Sequence, residues 1–548
     1  MKSKSGFLKL IPSWVWILLL IIGSGIFLRA YHFHDWLRFS PDEARDATII
    51  NSALNKKNAL PLLGPQAGNT KFYLGPLYYQ AEYVSALIFG NSPDKLAYPD
   101  LFFSILAIPL LFFFLRKYFS LKTALILDAF SSLSYFLIIT SRFASNPNSI
   151  PFFVLLFLYA LLEMLDEKNK RKIRWAILTG IAMGVGIQLH ALLFLIMPAV
   201  ALLVCMFLIK IKNLTWKNFV LVVAFFFLMN VGQIIYETTA PISNIKQLFK
   251  GASSESSLGA SLPRNVFLIT SCQFQANAHI ISSAENMDGC GDIFNLKKGN
   301  KNKYKNIPGG FPNGNFFILG TILVLFFSIG GYFLAIRYYK IHKQANDLNK
   351  KYFLGLIGVY NLISFSVMLP VASQIAVHYY NILFFVPFVL LGLWFNFISE
   401  KQKKDSALII GGITCILLIS NIFALMQAAN LYLKKNVSNI DNSILGEIIP
   451  MLNYMQNNTL QKNIIYIDGQ RMYLKRFLKP FEYLLLIKNP EMKIIRPESN
   501  KSFPAGRIFF YIDSYKSKPY KIGEQIGGNI ILNIKQFNQV IIYTLKKQ

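Results

Sequence analysis

Two adjacent carboxylates, Asp42 and Glu43, stand in the run Ser40-Pro41-Asp42-Glu43-Ala44-Arg45-Asp46-Ala47, shortly after the first membrane-length apolar stretch. Ser40 followed by Glu43, with Pro41 between them, is a capping box with proline at the first helical position, so a helix starts here. On that helix Asp42 and Asp46 lie four residues apart and Arg45 lies three from Asp42, which puts all three on one face. Capping accounts for Ser40, Pro41 and Glu43, and leaves Asp42, Arg45 and Asp46 over. A helix N-terminus favours anions, so a carboxylate held there stays ionised. Such a group can take a proton from an attacking hydroxyl within hydrogen-bond reach, although the same dipole weakens it as a base. Asp42 is the expected base or acceptor-orienting carboxylate, and Glu43 the second candidate.

Cations and aromatics follow at spacings that suit an anionic partner. Thr70-Lys71-Phe72-Tyr73-Leu74-Gly75-Pro76-Leu77-Tyr78-Tyr79 brings a lysine and several tyrosines, Arg142 opens Arg142-Phe143-Ala144-Ser145-Asn146-Pro147-Asn148, and His378-Tyr379-Tyr380 ends a later polar turn. Charge-assisted bonds to phosphate oxygens are strong, and arginine makes them bidentately, so Arg45, Lys71 and Arg142 are candidate phosphate partners. Exposed Lys and Arg at a membrane edge are also commonly solvated or paired with lipid headgroups. Tyr78, His378 and Tyr379 are candidate substrate contacts. His190, at another span end, reads more simply as satisfying a carbonyl of the bundle.

Hydrophobic residues make up 54% of the 548, and the mean hydropathy is +0.41, too apolar for a soluble globule. The formal charge of +29 does not indicate nucleic acid, because in a membrane protein the position of Lys and Arg carries the information. The segment Pro76 to Gly90 is about 15 residues long against the ~20 a span needs, and it carries Gln80 and Glu82, so it reads as a juxtamembrane helix on the outer face. With the N-terminus inside, the turns holding Arg116 and Lys117, Lys168 to Arg174, Lys210 to Lys217, Arg337 to Lys351 and Lys401 to Lys404 are then cytoplasmic. The short outer turns near 142, 190 and 375 hold only Arg142, as the positive-inside rule requires.

About eleven spans result, near 8–28, 98–115, 122–140, 150–165, 174–189, 191–209, 218–236, 315–336, 352–370, 379–398 and 405–427, with up to thirteen admitted. The expected fold class is a polytopic α-helical membrane protein with a small C-terminal α/β domain. Residues 1–428 form the membrane domain, with a first outer loop at 29–97 and a long outer loop at 237–314; residues 429–548 form the soluble outer domain. Cys272 and Cys290 both fall in the long outer loop, where an oxidising compartment allows a disulfide or two free thiols.

The Asp42-Glu43-Ala44-Arg45 element, Lys71 with Gly75-Pro76-Leu77-Tyr78-Tyr79, and Arg142 together resemble the glycosyltransferase C superfamily, in the branch of protein O-mannosyltransferases and lipid A aminoarabinose transferases. The resemblance covers the membrane region in layout and the first ~150 residues in motif. It departs at two places. Gly75 replaces a proline, and Asn146 and Asn148 stand where the branch carries an acid. The resemblance implies an inverting transfer of a sugar from a polyprenyl-phosphate donor to a glycolipid, lipopolysaccharide or protein acceptor, on the outer face of a bacterial cytoplasmic membrane. It implies membrane lipids as surroundings and no nucleic-acid partner, and leaves a divalent cation open. A surface-polysaccharide ligase or polymerase and a transporter of lipid-linked or small polar substrates are the alternatives. Transporters more often show polar or broken spans at midplane.

Overall fold

The computed structural model describes residues 12–433 and 443–548, apart from 69, 240–242, 255–260, 284–325, 462, 498–502, 515–519 and 539. Among these, six helices are long and apolar enough to cross a membrane: Ser13–Ala30, Tyr98–Arg116, Asn146–Leu165, Leu193–Lys210, Leu348–Gln374 and Ser406–Asn430. Two bent pairs, Trp216–Met229 with Val231–Thr239 (67°) and Val377–Leu383 with Val386–Lys401 (63°), raise the number to eight. The chain is a multi-pass membrane protein. The count of eleven is not reached, for identifiable reasons. The stretch expected at 122–140 breaks at Ser134, whose backbone (φ −59°, ψ 115°) leaves the helical region between Leu121–Leu133 and Tyr135–Thr140. The helix Lys172–Leu189 spends its first turn on Lys172 and Arg174. Of the span expected at 315–336, residues 315–325 lie outside the described ones, and the helix Ser328–Gln344 that follows carries Arg337, Lys340 and Lys343.

Helix α1 (Ser13–Ala30) leads to a short irregular turn and then to α2 (Pro41–Leu54). The start of α2 is set by its sequence: the Ser40 backbone N–H donates to Glu43 Oε2 at 2.7 Å, and Ser40 Oγ accepts from the Asp42 N–H at 3.4 Å. Helix α3 (Leu77–Phe89) has 13 residues and ends at Gly90, whose φ of +100° suits glycine. At 1.5 Å per residue it is too short to span. One side buries Tyr78, Tyr79, Glu82, Ser85 and Ala86, while Val84, Leu87, Ile88 and Phe89 stay exposed. That apolar outer stripe suits a helix resting on lipid.

The C-terminal region begins with the helix Leu445–Asn458 and builds a six-stranded mixed sheet in the order β2-β1-β3-β6-β5-β4. Strand β1 (Ile464–Gly469) is parallel to β2 (Lys493–Ile495) and β3 (Ile508–Ser514), with the helix Arg471–Lys488 between β1 and β2. Strands β4 (Gln525–Ile526), β5 (Asn529–Phe537) and β6 (Val540–Lys546) complete it in antiparallel fashion. One face of the sheet has a core of its own around Tyr466, Phe509, Ile541 and Tyr543, and the other is shared. Phe39, Ala44, Ala47, Ile50 and Tyr79 of the segment between the first two spans share one buried cluster with Leu445, Ile448, Phe477, Phe481 and Tyr483. A short ladder joins the same two parts: Leu445 N–H donates to Leu37 O (2.9 Å), Gly446 N–H to Asp35 O (2.9 Å) and Phe39 N–H to Ser443 O (3.2 Å).

Candidate active site

Asp42 is the exposed carboxylate of the motif. Its side chain keeps 80% of its surface, and its one ion pair is with Arg45 Nη1 at 3.0 Å. Glu43 is different. With 5% of its side chain exposed, it accepts from Arg38 Nη2 at 2.9 Å as well as from the Ser40 backbone. Burial works to raise the Glu43 carboxyl, but the Arg38 charge and the Ser40 hydrogen bond overcome it and hold Glu43 below its usual range. Glu43, expected as the second carboxylate for chemistry, therefore shapes the turn that presents Asp42.

Arg45 is also occupied. Its Nε and Nη2 donate to the two oxygens of Asp46 at 2.8 and 3.1 Å, a bidentate grip, while Nη1 goes to Asp42. Asp46 is buried and accepts a third bond from Tyr79 Oη at 2.9 Å. Burial pushes the Asp46 carboxyl up, opposed by Arg45 and by Tyr79. Burial likewise works against the Arg45 charge, and the bonds to Asp46 more than restore it. The result is a clamp, Tyr79–Asp46–Arg45–Asp42, that holds the Asp42 side chain from behind.

Tyr78, named as a substrate contact, faces inward. It is 6% exposed, and its hydroxyl has no hydrogen-bond partner. Next to it in the helix lies Glu82, 2% exposed, with Oε2 also unpartnered. Burial, with Asp46 and other acids adding, pushes Glu82 well above the carboxylate range and favours its protonated form.

Arg142 lies at the C-terminal end of α1 and caps it. Nη1 donates to Leu28 O (3.1 Å) and Arg29 O (2.9 Å), and Nη2 to Tyr31 O (2.7 Å), a favourable place for a cation. Burial brings its pKa down to about 10, still protonated at neutral pH. Arg142 lines a cavity of ≈ 440 Å³ together with Arg38, Trp36, Ile138, Ala428 and Tyr432, a wall that is apolar except at the two guanidinium groups. Each arginine keeps a buried Nε without an acceptor. Arg38, whose guanidinium carbon sits 3.5 Å over the Phe143 ring, had no motif around it to single it out.

The Asn residues that replace the expected acid have a donor's task. Asn146 Nδ2 donates to Leu189 O (2.6 Å) and Asn148 Nδ2 to Phe143 O (2.7 Å), which a carboxylate cannot do. An acid does serve this turn, from elsewhere: Asp100 accepts from Ser145 N–H (3.0 Å) and Ser149 Oγ (2.6 Å). Gly75 has a steric reason, since a Cβ there would stand 2.0 Å from Gln188 Oε1, the atom that accepts from the Leu77 N–H.

Lys71 is exposed at the end of a narrow hairpin, apart from the cavity-lining residues. His378 is exposed, with its ring 4.6 Å from that of Tyr379, which in turn meets His190 edge-on at 4.9 Å. His190 Nδ1 accepts from the Leu192 N–H at 3.2 Å, and burial takes its pKa down to about 4, so it is neutral. Cys272 is buried and disulfide-bonded, while Cys290 lies outside the described residues. Among the described residues no group of three His, Cys, Asp or Glu side chains could hold a metal ion. Asp46 and Glu43 are committed to arginines, so the described acids do not fit a divalent cation and no step is assigned to one.

The chain is thus a polytopic helical membrane protein with an exposed carboxylate, a cavity lined by two arginines and a C-terminal sheet. Residues 76–236 match the family model of dolichyl-phosphate-mannose-protein mannosyltransferase. The matched stretch starts after Asp42 and Lys71 and includes Arg142. No curated protein matches the chain. Among solved structures it is similar to ArnT from Cupriavidus metallidurans in the apo state, at 10% identity over 98% of both chains, with a TM-score of 0.48. The same ArnT bound to undecaprenyl phosphate gives 12% identity over 99% of this chain and 98% of that one, with a TM-score of 0.44. The archaeal oligosaccharyltransferase AglB from Archaeoglobus fulgidus, in complex with an inhibitory peptide and a dolichol-phosphate, gives 12% identity over 91% of this chain and 65% of that one, with a TM-score of 0.47.

Proposed function

We propose that the protein transfers a sugar from a polyprenyl-phosphate donor to an acceptor at the outer membrane surface of a bacterial cytoplasmic membrane. The observation that carries this reading is the apolar cavity with Arg38 and Arg142 in its wall. Apolar walls suit an isoprenoid chain, and two guanidinium groups in the same wall suit a phosphate. Arg38 also ties the cavity to Asp42, because its other nitrogen holds Glu43 in the same helical turn.

In the reaction, Asp42 takes the proton of the acceptor group as its oxygen forms a bond to the anomeric carbon. The bond from that carbon to the phosphate oxygen breaks, and its electron pair leaves with the polyprenyl phosphate. Displacement from the opposite face inverts the anomeric centre. Arg142 and Arg38 receive the charge that develops on the phosphate, and Lys71, exposed on its hairpin, is the third cation. Arg45 and Asp46 hold Asp42, and His378 with Tyr379 contacts acceptor or carrier. The outer loops and residues 429–548 form the extracytoplasmic side in this reading.

Membranes containing Asp42→Asn test it. The exposed side chain makes the protein's survival expected, and transfer of labelled sugar from polyprenyl-phosphate donors should fall about 10²- to 10⁴-fold. Full transfer by folded Asp42→Asn would remove Asp42 from the role. Mass analysis of envelope glycolipids and glycoproteins with and without the protein identifies the sugar and the acceptor.

A further inference from the structure

Lys71 is held in place by a residue far away in sequence. Residues 64 to 74 form a narrow hairpin: Gly64 N–H donates to Leu74 O (2.8 Å), Leu74 N–H to Pro65 O (2.9 Å) and Ala67 N–H to Phe72 O (2.9 Å), with Gln66 and Tyr73 paired across it. The outer edge of the second strand would have a free N–H and C=O at Tyr73. Both are taken by one side chain. Tyr73 N–H donates to Asn244 Oδ1 at 2.9 Å, and Asn244 Nδ2 donates to Tyr73 O at 2.9 Å.

The amide of Asn244 thus acts as a one-residue strand beside the hairpin. It is itself fixed, since it is 5% exposed at the start of the helix Ser243–Ser254, whose Asn244 and Ile245 N–H groups donate to Glu237 Oε1 at 3.1 and 3.0 Å. Farther along the same helix, Leu248 packs with Phe72 and Leu74, and Gly251 lies so close to Thr70 that a Cβ would stand 2.8 Å from Thr70 Cγ2. The contacts therefore grip residues on both sides of Lys71, and leave Lys71 itself exposed.

We propose that Asn244 is a positioning residue that sets where Lys71 meets the phosphate of a polyprenyl lipid. This rests on the reading of Lys71 as a phosphate partner given above. A lysine on a mobile tip loses rotamer and backbone freedom when it binds, and an edge already pinned at Tyr73 has less to lose.

The test is a double-mutant cycle with the purified full chain in detergent, using polyprenyl monophosphate as probe and uncharged polyprenol as control. Lys71→Ala and Asn244→Ala should each weaken phosphate-lipid binding about tenfold, with polyprenol binding unchanged. The double variant should be no weaker than Lys71→Ala, because Asn244 acts only through Lys71. The salt dependence of binding should drop equally in both single variants, a change that a merely structural role would not produce. If Lys71→Ala binds normally, the reading of Lys71 fails. If Lys71→Ala is impaired but Asn244→Ala is normal, or the two effects add, the reading stands and the role of Asn244 is overturned. Should Asn244→Ala not fold, Gly251→Val displaces the hairpin from the same helix and must show the same non-additivity with Lys71→Ala.

Discussion

Arg38 Nη2 and Glu43 Oε1 meet at 2.9 Å, and this single bond joins a cavity-lining cation to the helical turn that carries Asp42. The two carboxylates that look alike in the sequence are separated by it: Glu43 is committed to Arg38 and the Ser40 backbone, and Asp42 keeps an exposed side chain.

Glu43→Ala should therefore lower stability, while Asp42→Asn should not. Removing Glu43 takes away a cap and leaves Arg38 without its acceptor, a loss of about 2 kcal/mol by ordinary hydrogen-bond and capping magnitudes. Thermal unfolding in detergent distinguishes the two. An Asp42→Asn melting point that falls as far as that of Glu43→Ala contradicts the division of roles.

Glu82 predicts a pH dependence of the opposite sign to Glu43. Its folded pKa is raised well above the ordinary glutamate value of 4.5, so between that value and the folded pKa the unfolded chain gives up a proton that the folded one keeps. Stability then falls as pH rises through this window. Glu82→Gln should raise the melting temperature at pH 8 and leave it unchanged near pH 4. For Glu43, with its pKa lowered, the contribution is present above pH ~4.5 and lost as pH falls through the folded pKa.

Ala428→Phe fills the cavity without touching either arginine. Ala428 lines it and is 5% exposed, so the added ring takes the space of several methylenes of a chain. Photo-labelling by a polyprenyl phosphate should drop at least about tenfold, as expected when a lipid chain loses its apolar contacts. Unchanged labelling would place the isoprenoid elsewhere.

Asn146→Asp restores the acid expected from the resemblance, and should still be harmful. The carboxylate would face Leu189 O without a proton to donate, costing about 1–3 kcal/mol. A variant that is as stable as the parent and more active would show that the acid, not the amide, is what this turn requires.

The capping box, the short helix after Pro76 and the α/β character of the C-terminal region were legible, because each is a local matter of spacing. Less of the site was legible. Nothing local marks Arg38, since its importance comes from Glu43 on one side and a cavity formed with residues 425–432 on the other. Tyr79 and Tyr78 are adjacent and chemically identical, and only the packing of α3 turns one toward Asp46 and the other inward. The break at Ser134 and the inward Glu82 likewise follow from neighbours distant in sequence.

The ladder between Asp35–Phe39 and Ser443–Gly446 has a consequence for biosynthesis. The strand bearing Arg38 receives its edge partner only after roughly four hundred more residues have left the ribosome, so a nascent or truncated chain can insert its helices and still lack an assembled centre. Synthesis past Gly446 is thereby required before the segment bearing Arg38 gains its edge partner.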